Sequence, residues 1–188
     1  MGKEMYEEII AASKQPERGL FYLYTGNGKG KTTTALGVCV RAVGYGKKVV
    51  IIQFMKGRAT GEFVALKTIS PNLDIHLFGT PDFVDPANLR PIDLQLAQDG
   101  LDFAFKSLSF KPDLIVLDEA NVAIASNLLK AQQVLEFVEK AINQNTHVII
   151  TGRYAKPELI DKADLVTFMN EVKHPLQQNI AAVQGLEF

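Results

Sequence analysis

A glycine-rich segment, TGNGKGKT (25–32), constrains the fold more than any other part of this sequence. It follows LFYLYT (20–25), an apolar run short enough for a buried strand, and precedes TTTALGVCVRAVG (32–44), whose apolar residues recur at helical spacing. Glycines let successive backbone N–H groups turn toward one point, and the amino end of a helix attracts anions. A strand, a glycine loop and a helix in this order are typical of a phosphate-binding loop.

The side chains of this loop fit the same chemistry. The Lys31 ammonium can reach phosphate oxygens, and the Thr32 hydroxyl can ligate Mg²⁺. Lys29 is either a further phosphate contact or a solvated loop lysine. Thr25 stands where such loops usually begin with glycine, so Gly26 and Gly28 are expected to supply the flexibility.

A second element of such sites is an apolar strand that ends in acids. The segment LIVLDE (114–119) ends in Asp118 and Glu119. One acid of such a pair holds Mg²⁺ directly or through water. In ATPases that activate water, the second acid positions the nucleophile. The alternative is a pair of acids that caps the following helix.

The remaining apolar runs alternate with helical patterns. The predicted strands are 20–25, 48–54, 73–78, 113–119, 146–151 and 164–169, and the further predicted helices are 61–69, 92–108, 127–143 and 157–163. Strands without polar alternation are buried on both faces. The pattern therefore predicts an α/β fold of P-loop NTPase type, with a mostly parallel sheet of five or six strands flanked by helices and ligands at the carboxyl ends of the strands.

Composition narrows the class of protein. A length of 188 residues favours one domain, here 19–188, preceded by an amphipathic helical extension over 1–18. The net charge of −1 argues against a nucleic-acid binder that relies on overall charge. A single cysteine, Cys39, rules out an internal disulfide framework and is expected to pack in the core. The sequence carries neither a signal-peptide pattern nor an apolar run long enough for a membrane helix, so we expect a cytoplasmic protein.

With these motifs established, the chain resembles the P-loop corrinoid adenosyltransferases, which act on cob(I)alamin or cob(I)yrinic acid a,c-diamide. The resemblance extends over about residues 19–188. The matching stretches are YTGNGKGKTTTALG (24–37), RAVGYGKKVVIIQFMKG (41–57), LIVLDE (114–119), VIITGR (148–153) and EVKHP (171–175).

The resemblance implies an enzyme of cobalamin biosynthesis. In this family the reduced cobalt of a corrinoid attacks the 5′-carbon of ATP, and triphosphate leaves. ATP lies with its phosphate chain reversed relative to other P-loop enzymes. Because the nucleophile arrives with the corrinoid, no Ser/His/Asp or Cys/His set is needed. The family also implies a homodimer, whose N-terminal helix helps to cover the active site in some members, and a flavin or other reductase that supplies cob(I).

The resemblance assigns residues to roles at matching positions. Lys31, Thr32 and Glu119 would be catalytic. Thr32 and Glu119 would bind Mg²⁺, with Asp118 as a supporting ligand. The ATP-binding set would be Gly26, Asn27, Gly28, Lys29, Gly30, Lys31, Thr32 and Thr33.

The corrinoid end matches the family less closely. Some members carry Phe-x-Trp after the glycine that corresponds to Gly79, whereas this chain has Phe83 and no tryptophan. Phe83 is therefore either the aromatic that contacts the corrin or a loop aromatic packed in the core. Arg153 either contacts ATP or corrinoid or forms a surface ion pair.

Two other functions remain open at this point. The chain could be a P-loop ATPase in which Glu119 activates water, or a non-catalytic protein that binds ATP and corrinoid. The three histidines, His76, His147 and His174, are too scattered in the sequence to suggest a metal site. His76 and His147 are expected to be structural, whereas His174 either has a structural role or contacts substrate.

Overall fold

One six-stranded sheet forms the centre of the molecule, in the strand order β3-β2-β4-β5-β1-β6. Every pair of neighbouring strands is parallel, which confirms the predicted α/β architecture. The structure is a computed structural model and describes residues 14, 16–82, 84–85 and 88–186. The strands are β1 (Phe21–Thr25), β2 (Val49–Phe54), β3 (Leu73–Phe78), β4 (Leu114–Asp118), β5 (His147–Thr151) and β6 (Leu165–Phe168).

Helices connect the strands in the crossovers that a parallel sheet requires. They are α1 (Lys31–Gly44), α2 (Gly61–Ile69), α3 (Pro91–Ser107), α4 (Ala120–Ala125), α5 (Ala131–Asn143) and α6 (Pro157–Lys162). Two short 3₁₀ turns lie at Leu108–Phe110 and Pro175–Gln178.

The helices cover the sheet on two sides and divide the core in two. On one face, Ala35 and Cys39 of α1 pack with Ile51 of β2. On the other face, Leu101 of α3 and Phe137 of α5 pack in the larger cluster. Cys39 is completely buried, as expected for a core residue. None of the described helices is both long and apolar enough to cross a lipid bilayer.

The helix predicted over 127–143 is wrong at its start. A separate helix, α4, precedes it, and α5 begins only at Ala131. The break occurs because Asn127 adopts a left-handed conformation, with φ of 58°, which ends a right-handed helix. Leu128 and Leu129 nevertheless remain buried, so the apolar pattern continues across the turn and conceals it.

The sixth strand was expected to be buried, and this expectation is also wrong. The strand β6 is at the edge of the sheet and pairs only with β1 among the described strands. Leu165 and Phe168 are 40% and 58% exposed. Most of the extension predicted over 1–18 is outside the described residues. At its end, Arg18 makes two hydrogen bonds to Asp164, which immediately precedes β6.

Candidate functional site

The loop between β1 and α1 requires glycine at specific positions. Gly26 and Gly30 have φ of 98° and 106°, in the left-handed region that glycine tolerates. A Cβ on Gly26 would lie 2.4 Å from the Met169 carbonyl oxygen, and one on Gly28 would lie 2.7 Å from it. The Gly28 amide donates to that same oxygen at 2.6 Å. Glycine therefore lets the loop pass directly against the backbone that follows β6.

Lys31, the first residue of α1, is held inside this loop. Its side chain folds back so that Nζ donates to the carbonyl oxygens of Gly26, at 2.8 Å, and Gly28, at 2.6 Å. Burial lowers the pKa of Lys31, and the charge of Glu119 acts in the opposite direction. A cation is thus held among the backbone groups of the loop.

Three polar side chains form a row beneath α1 at the carboxyl ends of β2, β4 and β5. Gln53 of β2 and Asp118 of β4 are paired in the register of the sheet. On β5, Thr151 comes directly after Ile150, the residue that pairs with Leu117. All three row residues are fully buried. Their side chains lie on the face of the sheet that α1 covers. On each strand, the preceding residue on the same face is apolar.

Asp118 is the centre of this row and accepts four hydrogen bonds. Its Oδ1 accepts from Thr32 Oγ1 at 2.8 Å and from Thr151 Oγ1 at 2.6 Å. Its Oδ2 accepts from Gln53 Nε2 and Lys56 Nζ, both at 2.9 Å. The acid therefore ties the first turn of α1 to three strands and to the residues that follow β2.

Asp118 and Lys56 form a charged pair. Burial alone would raise the pKa of Asp118, but the Lys56 charge and the hydrogen bonds from Thr151 and Thr32 outweigh it and lower that pKa. For Lys56, burial would lower the pKa, and the attraction of Asp118 reverses the direction. Both groups are consequently charged near neutral pH.

Glu119 directly follows Asp118, the last residue of β4. Its φ of 62° places it in the left-handed region, and its amide donates to Thr151 Oγ1 at 3.0 Å. Burial, followed by repulsion from Asp118, raises the pKa of Glu119. Although Glu119 occupies the N-cap position of α4, its side chain makes no capping hydrogen bond with the described residues. The helix-capping alternative is therefore not supported for Glu119.

An open cleft of about 1350 Å³ extends over the phosphate loop. Residues 27–33, Glu119 and Arg153 line it, together with His174 and residues 184–186. Asn121 Nδ2 donates to the carbonyl oxygen of Gly152 at 3.1 Å, which fixes the strand tip that carries Arg153. Of the predicted ATP-binding residues, only Gly26 is not part of the cleft lining.

Another wall of the cleft is built by residues 55–62 and 80–82. The two segments touch backbone to backbone: a Cβ on Gly57 would lie 2.2 Å from the Thr80 carbonyl carbon, and one on Gly79 would lie 2.4 Å from the Lys56 nitrogen. Arg90 Nη2 donates to Thr80 Oγ1 at 2.6 Å and anchors this wall to α3.

Arg90 is itself fixed by Asp93 in the first turn of α3. Its Nε and Nη2 donate to the two Asp93 oxygens, each at 2.8 Å. These bonds lower the pKa of Asp93, against the effect of burial. Phe83 is outside the described residues, so its predicted contact with the corrin stays a prediction.

Each of the three histidines makes a polar contact with another residue. His147 Nδ1 accepts from the Leu20 amide at 3.0 Å, and His174 Nδ1 accepts from the Leu176 amide at 3.2 Å. His76 Nε2 is 2.6 Å from Asp74 Oδ2. Among the described residues, no group of three or more His, Cys, Asp or Glu side chains could hold a metal ion.

Sequence reasoning missed the roles of Gln53, Lys56 and Thr151. All three are within stretches that carry the family resemblance, but none was assigned a function. A signal was present, since Gln53 is polar within a buried apolar strand. A polar residue at such a position requires a buried partner, and the structure identifies that partner as Asp118.

Known proteins resemble this chain over nearly its whole length. Residues 17–188 match the family described as ATP:corrinoid adenosyltransferase BtuR/CobO/CobP. A corrinoid adenosyltransferase of Pseudomonas aeruginosa is 38% identical over 189 aligned positions, which cover 99% of this chain and 91% of the relative. One of Escherichia coli K12 is 34% identical over 188 positions, covering 99% and 93%.

A solved structure shares the fold alone. The flagellar accessory protein FlaH from Methanocaldococcus jannaschii matches 80% of this chain and 70% of its own, with a TM-score of 0.55. Its sequence identity of 12% is too low to indicate a shared function.

Proposed function

The chain belongs to the ATP:corrinoid adenosyltransferase family BtuR/CobO/CobP, and we propose on this basis that it transfers the 5′-deoxyadenosyl group of ATP to the reduced cobalt of a corrinoid. Triphosphate is the leaving group. The observation that carries the proposal is the 38% identity to a corrinoid adenosyltransferase across 99% of this chain. The cleft geometry supports it, because Lys31, Thr32 and Glu119 line one cavity.

The protein's main task in this reaction is to hold and stabilise a polyanion. Lys31 and the amino end of α1 are in place at the phosphate loop before substrate binds. Preorganised charges and dipoles of this kind stabilise charge that develops on a leaving group. In the proposed reaction the cobalt of the substrate is the nucleophile. The carboxylate, ammonium and guanidinium side chains of the cleft therefore serve to bind the substrates.

The donor set fits Mg²⁺. We propose that the Thr32 hydroxyl and the Glu119 carboxylate hold the ion, since Mg²⁺ prefers a few protein oxygens together with phosphate oxygens and water. When bound, Mg²⁺ would neutralise part of the triphosphate charge. Asp118 would support the site by orienting Thr32, because its own oxygens are already occupied by four hydrogen bonds.

The corrinoid would occupy the outer part of the cleft. Arg153 and Phe83 are our candidates for contacts there, and the wall at 80–82 precedes Phe83 directly. Exposed apolar surface at Leu186, which also lines the cleft, supports binding of a large ring. We further propose that the enzyme is cytoplasmic, forms a homodimer and receives cob(I) from a flavin or other reductase.

The test is the formation of a cobalt–carbon bond. Wild-type protein with ATP, Mg²⁺ and chemically reduced cobalamin is expected to produce the absorbance spectrum of adenosylcobalamin. Lys31→Ala is expected to lose most of this activity, by about 10²-fold or more, because it removes a preorganised cation. Corrinoid-independent release of orthophosphate that Glu119→Gln abolishes would instead identify an ATPase. Tight binding of both substrates without turnover would identify a carrier.

A further inference from the structure

Lys56 is a cation of the cleft that lies outside the phosphate loop. It follows β2, lines the same cavity and has a side chain that is 25% exposed. Its Nζ donates to Asp118 Oδ2 at 2.9 Å, and within the part of the chain that the structure describes this is its one hydrogen bond. An ammonium carries three N–H donors. Two donors of Lys56 thus remain for a ligand.

The bonding of Asp118 explains why this lysine is held so firmly. A carboxylate offers about four acceptor sites, and Asp118 accepts four hydrogen bonds. A metal ion that bound Asp118 directly would have to displace one of these donors. The acid that the sequence motif assigns to the metal is instead committed to holding side chains, and one of those is the Lys56 ammonium.

The backbone of Lys56 is fixed as well. Gly79 packs so tightly that a Cβ there would lie 2.4 Å from the Lys56 nitrogen. The preceding residue, Met55, donates its amide to the Phe78 carbonyl oxygen at 2.9 Å. Ordering a free lysine costs side-chain entropy when a ligand binds. Lys56 has already lost much of that freedom, so it can meet an anion at little further cost.

We propose that Lys56 is a further triphosphate-binding residue, outside the phosphate loop, and that Asp118 serves triphosphate binding by positioning Lys56. The inference rests on the proposed function, in which triphosphate is the leaving group. Thr32 Oγ1 and Lys56 Nζ both bond to the one carboxylate of Asp118, so both lie within reach of the same phosphate group. The triphosphate is then held between Lys31 in the loop and Lys56, which follows β2.

The test measures binding of inorganic triphosphate by calorimetry, in EDTA so that metal plays no part. Lys56→Met is expected to raise the dissociation constant about tenfold or more, since hydrogen bonds to charged groups are strong. Lys56→Arg, which keeps the charge, is expected to recover part of the affinity. Lys48→Met is the matched control, because Lys48 is an exposed lysine beside the opposite end of β2. It is expected to bind as wild type does.

A double-mutant cycle tests the role of Asp118. If Asp118 acts through Lys56, Asp118→Asn weakens triphosphate binding in the wild type but has little further effect in Lys56→Met. Losses that simply add would overturn this part of the inference. Equal affinity of Lys56→Met and wild type would overturn the whole of it.

Folding and the proposed function are controlled separately. Removing Lys56 alone leaves the buried Asp118 charge unpaired, which destabilises proteins. If circular dichroism shows that Lys56→Met is unfolded, Lys56→Gln and the doubly neutral Lys56→Met/Asp118→Asn replace it, with the same criterion of weakened binding. Failure of the wild type to bind either triphosphate or ATP when Mg²⁺ is supplied would reject the proposed function itself, a result distinct from unchanged binding in the variants.

Discussion

Thr32 Oγ1 donates a 2.8 Å hydrogen bond to Asp118 Oδ1, which joins the first turn of α1 to the end of β4. Thr151 Oγ1 donates to the same oxygen at 2.6 Å. Because the Thr32 proton is directed at the acid, the lone pairs of its oxygen are available to a cation. One hydrogen bond thus sets the orientation of the hydroxyl that we propose as a ligand of Mg²⁺.

Thr32→Val tests this orientation, with Thr32→Ser as the matched control. Valine has a similar shape but no hydroxyl, so kcat/KM is expected to fall about 10²-fold and the Mg²⁺ concentration for half-maximal activity is expected to rise. Serine keeps the hydroxyl and should remain close to wild type. Steady-state assays over a Mg²⁺ series provide the measurement. An unchanged Mg²⁺ requirement in the valine variant would contradict the proposed ligand.

Gly26→Ala is expected to destabilise the protein. The residue has φ of 98°, and its added Cβ would lie 2.4 Å from the Met169 carbonyl oxygen. Strain of this kind costs about 1–3 kcal/mol. Gly37→Ala is the control, because a Cβ there meets nothing within 4 Å and Gly37 lies inside α1. That variant should gain about 0.5–1 kcal/mol. Urea unfolding measures both, and equal stability of the two variants would refute the steric argument.

Asp164 should make stability depend on pH in the acid range. Its hydrogen bonds from Arg18 lower its pKa, although burial opposes them. Since the folded pKa is below the unfolded value of about 3.9, the stabilisation is complete above that pH and is lost as the pH falls through the folded pKa. Asp164→Asn should cost up to about 1 kcal/mol at pH 7, a loss that shrinks below about pH 4.

Unfolding at pH 7 and at pH 3 measures this difference. Glu139→Gln is the control, because Glu139 pairs with Lys162 at 3.6 Å and both side chains are more than half exposed. It should have little effect at either pH. A stability loss in Asp164→Asn that is the same at both pH values would show that the ionised carboxylate is not responsible.

Cys39 is expected to be inert in the folded protein. It is completely buried, and burial raises the pKa of its thiol to about 12. The thiolate is the reactive form, so both effects block modification. A chromogenic disulfide reagent should detect no thiol in native protein and one per chain in denaturant, since the chain has a single cysteine. Rapid reaction of native protein would show that the core around α1 opens.

The phosphate loop and the strand pattern could be predicted because they depend on local sequence. Glycine spacing and apolar runs located β1, α1 and the acidic end of β4 to within a residue or two. The break at Asn127 could not be predicted, because buried residues continue on both sides of it. The exposure of β6 depends on strand order, which no local pattern encodes.

The sequence motifs located some residues of the candidate site but not the partners that the fold brings to them. Lys31, Thr32 and Glu119 were identified from two motifs, and the structure brings them into one cleft. The partners of Asp118 come from β2 and β5, far away in sequence, and only the register of the sheet makes them neighbours. The role that we propose for Lys56 therefore depends on its contact with Asp118, which the sequence alone does not indicate.

The most direct test of the central claim follows both products of one reaction. Protein, ATP, Mg²⁺ and reduced cobalamin are incubated together, and phosphorus NMR is recorded alongside the cobalt–carbon absorbance. We predict that intact triphosphate and adenosylcobalamin form in equal amounts, because the bond broken is between the 5′-carbon and its oxygen. Orthophosphate or pyrophosphate without a cobalt–carbon product would contradict the assignment of this protein as an adenosyltransferase.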